Sequence, residues 1–208
     1  MTKTYTGYAV LACSALFSLS LATGANAADV NKLAENCANC HGKGGASTEP
    51  DVPIIGGYSA EYLNNSLTAY KKQERPCPET KYRAGNKKGT KTNMCQTAKD
   101  MNPADIKDVA EYFSGQKFVR AVQKFDPVLA NKGKEIHELN CEKCHSEGGT
   151  VASDDVGILA GQHTAYLEEA FREFNSGKRP IAKKMKPKLE KLDQAGIDAL
   201  VNYYGSFK

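Results

Sequence analysis

Five residues occur twice in this chain and constrain it more than any other feature: Cys37-Ala38-Asn39-Cys40-His41 and Cys141-Glu142-Lys143-Cys144-His145. Two cysteines three positions apart on a helical turn face one edge of a porphyrin, where they form thioethers with its two vinyl groups. The histidine that follows then points at the iron, which makes this the c-type haem attachment signature. The competing use, a zinc site, needs two Cys-x-x-Cys pairs converging on one tetrahedral ion, usually across a short gap. Here the pairs stand 104 residues apart and each has its own histidine, which argues against a shared ion. The expectation is two covalently bound haem c, attached through Cys37, Cys40, Cys141 and Cys144, with His41 and His145 as axial ligands.

Residues 1–27 read as a secretory signal peptide. Lys3 supplies a thin positive start, residues 8–21 are largely apolar, and Ala25-Asn26-Ala27 fits a small-x-small cleavage site before Ala28. The apolar run is too short for a membrane span. A lipoprotein reading would use Val10-Leu11-Ala12-Cys13, but it leaves almost no apolar stretch ahead of the cysteine. The mature chain is therefore expected in the periplasm. Removing 27 residues takes away one cation and no acids, so 27 Lys+Arg face 24 Asp+Glu in 181 residues, a net charge of +3. Two haems would add four propionates, so no strong field remains to attract nucleic acid or an anionic membrane. Lysine pairs such as Lys87-Lys88 and Lys183-Lys184 read as solvated faces, with a docking rim as their other use.

Of the seven cysteines, Cys13 leaves with the signal peptide and four belong to the two motifs. Cys77 and Cys95 remain as a pair in an oxidising compartment, for which a disulfide is the natural reading. Its place beside Met94 suggests a local use, pinning the loop that carries that methionine. A redox-active bridge is the alternative.

Shifting the sequence by 104 superimposes more than the motifs. Ile55-Gly56-Gly57 falls on Leu159-Ala160-Gly161, Tyr62-Leu63 on Tyr166-Leu167, and Arg75-Pro76 on Arg179-Pro180. Beyond that the offset becomes 91: Met94 falls on Met185, Ile106 on Ile197, and Tyr112-Phe113 on Tyr203-Tyr204. The chain is thus an internal duplication with thirteen extra residues between Pro76 and Met94. The expected domains are residues 28–117, with an inserted loop at 77–93, and residues 118–208.

Each half reads as the same three-helix plan. An amphipathic helix (30–37; 128–139) leads into the motif, whose own turn continues it. A second helix spans 60–73, capped by Ser59, and 165–175, stopping at Gly177. The third spans 103–114, with Asn102 as N-cap and Pro103 at the first helical position, and 194–204, capped by Asp193. No run alternates with period two for long enough to argue for a strand, so the fold class is all-α. Haem would complete an apolar core that ninety residues build only marginally. The segment 115–126 lacks Gly/Ser enrichment, and Phe118, Val119 and Phe125 suggest that it packs across the domain boundary.

The second axial ligand decides between carrying electrons and doing chemistry. A ligand should recur in both halves, and the methionines that align are Met94 and Met185. Met101 is the rival in the first half, but its counterpart is Leu192, which cannot bind iron. His/Met ligation raises the reduction potential and fills both axial positions, so electron transfer follows and no catalytic residue is expected. His137 and His163 have no partner across the repeat and read as surface or helix-end residues.

Two Cys-x-x-Cys-His domains, each with a loop-borne Met and an Ile/Leu-Ala/Gly-Gly run before a Tyr-Leu helix, resemble the di-haem cytochromes of the cytochrome c-four type. Phe125-Asp126, the run Cys141 to Gly149, Ile158-Leu159-Ala160-Gly161-Gln162, Arg179-Pro180 and Lys183-Lys184-Met185 are more specific. They resemble the cytochrome subunit of flavocytochrome c, the sulfide dehydrogenase of sulfur-oxidising bacteria. Cytochrome c-four domains usually carry Pro before the Leu-Ala-Gly element in both halves; Pro53 is present, but its counterpart is Gly157, as in the flavocytochrome subunit. The insertion with Cys77 and Cys95 follows neither minimal pattern.

That resemblance implies an electron-accepting subunit in a heterodimer. Its partner would be a flavoprotein carrying FAD that oxidises sulfide, and its acceptor a soluble cytochrome or similar carrier. The chain has no Gly-x-Gly-x-x-Gly after a strand, so the flavin is expected on the partner. One rival is a free-standing di-haem carrier serving a terminal oxidase. Another is an enzyme in its own right, such as a di-haem peroxidase or thiosulfate dehydrogenase, which the paired Met94 and Met185 argue against.

Overall fold

The structure, a computed structural model, describes residues 1–3 and 29–208. The apolar stretch of the expected signal peptide, Cys13 and the cleavage site before Ala28 lie outside the described residues. Among the described residues, no helix is long and apolar enough to cross a membrane.

The first half contains α1 (Val30–His41), α2 (Ala60–Lys71), two-residue strands β1 (Thr80–Lys81) and β2 (Lys91–Thr92), a short α3 (Met94–Ala98) and α4 (Pro103–Ser114). The second contains α5 (Pro127–Asn140), the single turn α6 (Ser146–Gly149), α7 (Thr164–Asn175), α8 (Lys186–Leu189) and α9 (Gln194–Gly205). Local chemistry sets the boundaries. Asn102 and Asp105 form a reciprocal capping box ahead of α4, with Pro103 at the first helical position. Ser59 accepts the Tyr62 N–H to start α2, and Asp193 accepts that of Gly196 to start α9. The all-α reading holds, with one departure inside the inserted loop. There Thr80 pairs with Thr92 and Lys81 with Lys91 in an antiparallel hairpin, which two residues per strand are too few to announce by periodicity.

The two attachment motifs differ in backbone. In the first, α1 runs unbroken to His41. In the second, α5 stops at Asn140, because the Cys141 and Glu142 amides both donate to the His137 carbonyl and close the helix before the motif. The packing also differs. In the first half α4 packs against both α1 and α2; in the second α9 packs against both α5 and α7, but far more extensively against α5. Gly133 permits that approach: a Cβ there would sit 2.0 Å from the Ala199 carbonyl oxygen. The two cores are built around Phe113 and around Tyr204, each 1% exposed; these are counterparts under the repeat.

The halves are joined by an exchange of hydrogen bonds that follows the repeat. Tyr58 O–H donates to the Ile158 carbonyl (3.1 Å), and Gln162, the counterpart of Tyr58, donates to the carbonyl of Ile54, the counterpart of Ile158 (2.9 Å). Gln162 Nε2 also donates to the Tyr58 hydroxyl (2.8 Å), so the two meet on the local pseudo-twofold axis, as the matching positions of an isologous contact must. Gln162 Oε1 accepts the Ile54 N–H (3.0 Å). The connector is held on both sides: Ala121 N–H donates to the Gly161 carbonyl, and Phe118 packs against Tyr58.

Candidate functional site

Each motif forms part of the wall of an apolar cavity. In the first half a cleft, about 930 Å³ with the solvent-open space at its mouth included, is lined by Cys37, Cys40 and His41 together with Leu63, Met94 and Met101. In the second, one of about 1450 Å³, again with its solvent-open mouth included, is lined by Cys141 and His145 with Leu159, Phe171, Met185 and Leu200. Tyr58, Tyr62, Arg75 and Tyr166 line both, so the cavities meet at the domain boundary.

The histidines are prepared as neutral imidazoles. Burial holds His41 below its ordinary pKa, against the pull of the Pro53 carbonyl, whose oxygen lies 2.8 Å from Nδ1. Fixing one ring nitrogen leaves the other for a metal. Burial and then the nearby His137 likewise lower His145, against Gly157 and Asp154. Its Nδ1, however, is buried with no partner of normal hydrogen-bond geometry. The replacement of Pro53 by Gly157 therefore coincides with a looser hold on the second imidazole. Cys37, Cys40, Cys141 and Cys144 are free thiols among the described residues. Burial, then Cys40, pushes the Cys37 thiol up to about 11.

Met94 begins α3 under the cap of Asn93, whose side chain accepts the Gln96 N–H. Cys77 and Cys95 are bonded to each other, Cα to Cα 5.8 Å, which ties the residue beside Met94 to the end of the Arg75-Pro76 turn. Met101 also lines the first cavity, 8% exposed and packed among Leu63, Ile106 and Phe113. Met185 precedes α8 and packs with Leu192 against the second core.

The shared wall carries polar chemistry that the sequence reading left unused. Arg75 and Arg179 are each 9% exposed. Arg75 lies 4.4 Å over the Tyr70 ring and Arg179 4.3 Å over Phe174, its counterpart. Burial pushes the Tyr166 hydroxyl up, but Arg179 and Arg75 outweigh it and the net shift is downward. Arg75 Nε is buried without a partner. Arg179 is paired with the buried Glu173 at 3.8 Å, so what the seam leaves unused is the Arg75 Nε donor, and a buried guanidinium with a free donor between two apolar cavities suits a porphyrin carboxylate. Slots with cysteine pairs, neutral imidazoles and this cationic seam fit the haem groups.

The two histidines read as surface or helix-end residues do sit at helix ends, His137 in the last turn of α5 and His163 at the N-cap of α7, but neither is at the surface. His137 is wholly buried, with Nδ1 2.9 Å from the Tyr204 hydroxyl and Nε2 2.7 Å from Glu142. Glu142 also accepts the N–H groups of Glu147 and Gly148, so this network clamps the second motif. His163, 6% exposed, places Nε2 2.9 Å from the Ser47 carbonyl in the other half. A repeat comparison ranks ligands and is blind to such cross-links, although an acid inside the motif five residues after His137 was a usable signal.

Two helical domains, each closing an apolar slot on a Cys-x-x-Cys-His wall, define a di-haem c-type cytochrome. The family model for cytochrome c matches residues 27–117. Cytochrome c4 of Stutzerimonas stutzeri is 32% identical over 181 residues, covering 80% of this chain and 82% of that one. The crystal structure of reduced recombinant cytochrome c4 from Pseudomonas stutzeri superimposes with a TM-score of 0.68 at 27% identity, over 88% of this chain and all of that one. A thiosulfate dehydrogenase electron acceptor of Thiomonas intermedia (strain K12) is 27% identical over 182 residues, covering 82% of this chain and 76% of that one. The chain belongs to the cytochrome c4 family and is a di-haem electron carrier with two covalently bound haem c.

Proposed function

We propose that this carrier works in the periplasm as the electron-accepting subunit of a sulfur-compound dehydrogenase. In its most specific form, it pairs with a FAD-bearing sulfide dehydrogenase flavoprotein and passes electrons to a soluble acceptor. Residues 28–117 and 118–208 form its two haem domains. Cys37, Cys40, Cys141 and Cys144 attach the haems, and His41 with Met94, and His145 with Met185, fill the axial positions. Haem supplies a one-electron couple, and His/Met ligation sets it high enough to receive electrons from flavin or sulfur chemistry. The chain's own part is to hold each imidazole neutral, to exclude water with Leu63, Phe113, Leu167 and Leu200, and to place both cavities on one wall.

The observation that carries the partner assignment is Gly157, which stands where the first half has Pro53 and follows the flavocytochrome pattern, and beside which His145 Nδ1 is held more loosely than His41 Nδ1 is by Pro53. A similar chain that serves thiosulfate dehydrogenase supports a donor from sulfur oxidation. The second reading is a free-standing carrier serving a terminal oxidase, favoured by whole-length similarity to cytochrome c4. Affinity capture of the tagged holoprotein from periplasmic extract separates them. The proposal expects a flavin-absorbing protein in the eluate that reduces the cytochrome when sulfide is added. A cytochrome that elutes alone, and is reduced by no extract fraction given sulfide, refutes it.

A further inference from the structure

The disulfide-tied hairpin has no equivalent in the second half, where only residues 181–184 separate Pro180 from Met185. Its position gives it a use. Arg83 and Ala84 both donate their backbone N–H to the Asn39 carbonyl, at 2.8 and 2.9 Å. The Lys81 carbonyl lies 4.0 Å from Cys40 Sγ, and Tyr82 lines the first cavity beside Cys37, Cys40 and His41. Gly85, at φ +70°, packs so closely on Asn39 that a Cβ would meet its Oδ1 at 2.4 Å.

Several ties hold the hairpin there. Arg83 reaches Asp51 at 2.5 Å, the Cys77–Cys95 bond closes its base, and Gly89 N–H donates to the Tyr82 carbonyl inside it. Asn39 and Cys40 are accordingly half-buried. Their counterparts Lys143 and Cys144 are exposed. The second motif is thus bare at the edge where the first is covered.

We propose that the hairpin is a fixed cover over the thioether edge of the first haem. Protein partners are kept off that edge, and electrons are exchanged with them at the Cys144 edge of the second domain. This rests on the two-haem carrier and not on the identity of its donor. Lys143, Lys183, Lys184, Lys186 and Lys188 are exposed on the motif and on the Met185 loop. In residues 178–191 Glu190 is the one acid, and it is paired with Lys186. That rim fits a partner with an acidic docking face.

The test uses the reduced, diamagnetic holoprotein and a neutral gadolinium chelate, with the thioether methyl resonances of each haem followed by proton NMR. The methyl at Cys144 should gain relaxation at least about threefold faster than that at Cys40. Replacing 80–92 by two glycines, which spares Met94 and both bridge cysteines, should bring the Cys40 methyl up to the same level. Equal relaxation of the two methyls in the unaltered protein overturns the cover whether or not the variant folds. Exchange is then read with ferricyanide as a small anionic oxidant at low salt. Lys143→Glu should slow oxidation about threefold or more and Lys88→Glu should change it little, since charge steers encounter only near the reacting edge. Equal slowing by the two variants overturns the assignment of the exchange edge.

Discussion

Replacing Gln162 by Leu tests how the two halves are held together. Gln162 is completely buried, as is Ile54, and its amide takes both the N–H (3.0 Å) and the carbonyl (2.9 Å) of Ile54. Leucine keeps most of the volume and removes both partners. Tyr58 loses an incoming bond but keeps its own to the Ile158 carbonyl, so it adds little to the cost. The His163 N–H, which donates to the same Gln162 Oε1 at 3.0 Å, is orphaned as well, so three backbone groups left buried and unpaired, at about 1–3 kcal/mol each, give an expected loss of about 3–9 kcal/mol. Urea unfolding of the holoprotein, followed by haem-region and far-UV circular dichroism, reads this as a lower midpoint. Because the lost bonds lie between the halves, the single transition should also split in two. A loss below about 1 kcal/mol with one transition would show that the exchange around Tyr58 and Gln162 does not couple the domains.

Glu142 makes a pH-dependent contribution. The N–H groups of Gly148 and Glu147, together with His137, hold its carboxyl below the ordinary value of 4.5 against the opposing cost of burial. A depressed folded-state value gives stability that is present above pH 4.5 and lost as the pH falls through the folded value. Wild type should therefore exceed Glu142→Gln in thermal midpoint at pH 7, and the gap should close in acid; a pH-independent gap contradicts the network. The Cys77–Cys95 bridge closes a separation of 18 residues, so Cys77→Ser with Cys95→Ser should cost about 3 kcal/mol in urea unfolding. No loss would mean that the hairpin is held by Arg83 and Asn39 alone. Mass spectrometry of secreted protein should give a chain beginning at Ala28 and carrying two haems; one haem rejects the duplicated site.

Much of this molecule was legible in the sequence because its rules are local. The Asn102-Pro103 start placed α4 to the residue, and the doubled motif with its 104-residue offset gave the number and likeness of the halves. Helix ends without strong caps drifted: α2 was expected to reach Gln73 and ends at Lys71, after which Gln73 adopts φ +58°. What was not legible depends on contacts between residues distant in the chain. His163 is buried by a carbonyl 116 positions away, and the seam of Arg75, Tyr166 and Arg179 exists because two copies of one motif face each other. The hairpin escaped because glycines, a disulfide and the Asn39 carbonyl hold it in place, and hydrophobic alternation does not.

The electron-carrier account stands on the axial methionines, and the far-red absorption of the oxidised holoprotein tests them most directly. A thioether bound to ferric haem gives a weak charge-transfer band there, and with Met94 and Met185 as ligands both haems contribute. Met94→Ala should remove roughly half of the band, lower the potential of the first haem and open its iron to carbon monoxide. Met101→Ala should leave the band intact and cost about 2–5 kcal/mol in packing, since Met101 is buried in the first core. A band abolished for the first haem by Met101→Ala and spared by Met94→Ala would contradict the ligand assignment and the repeat alignment that led to it.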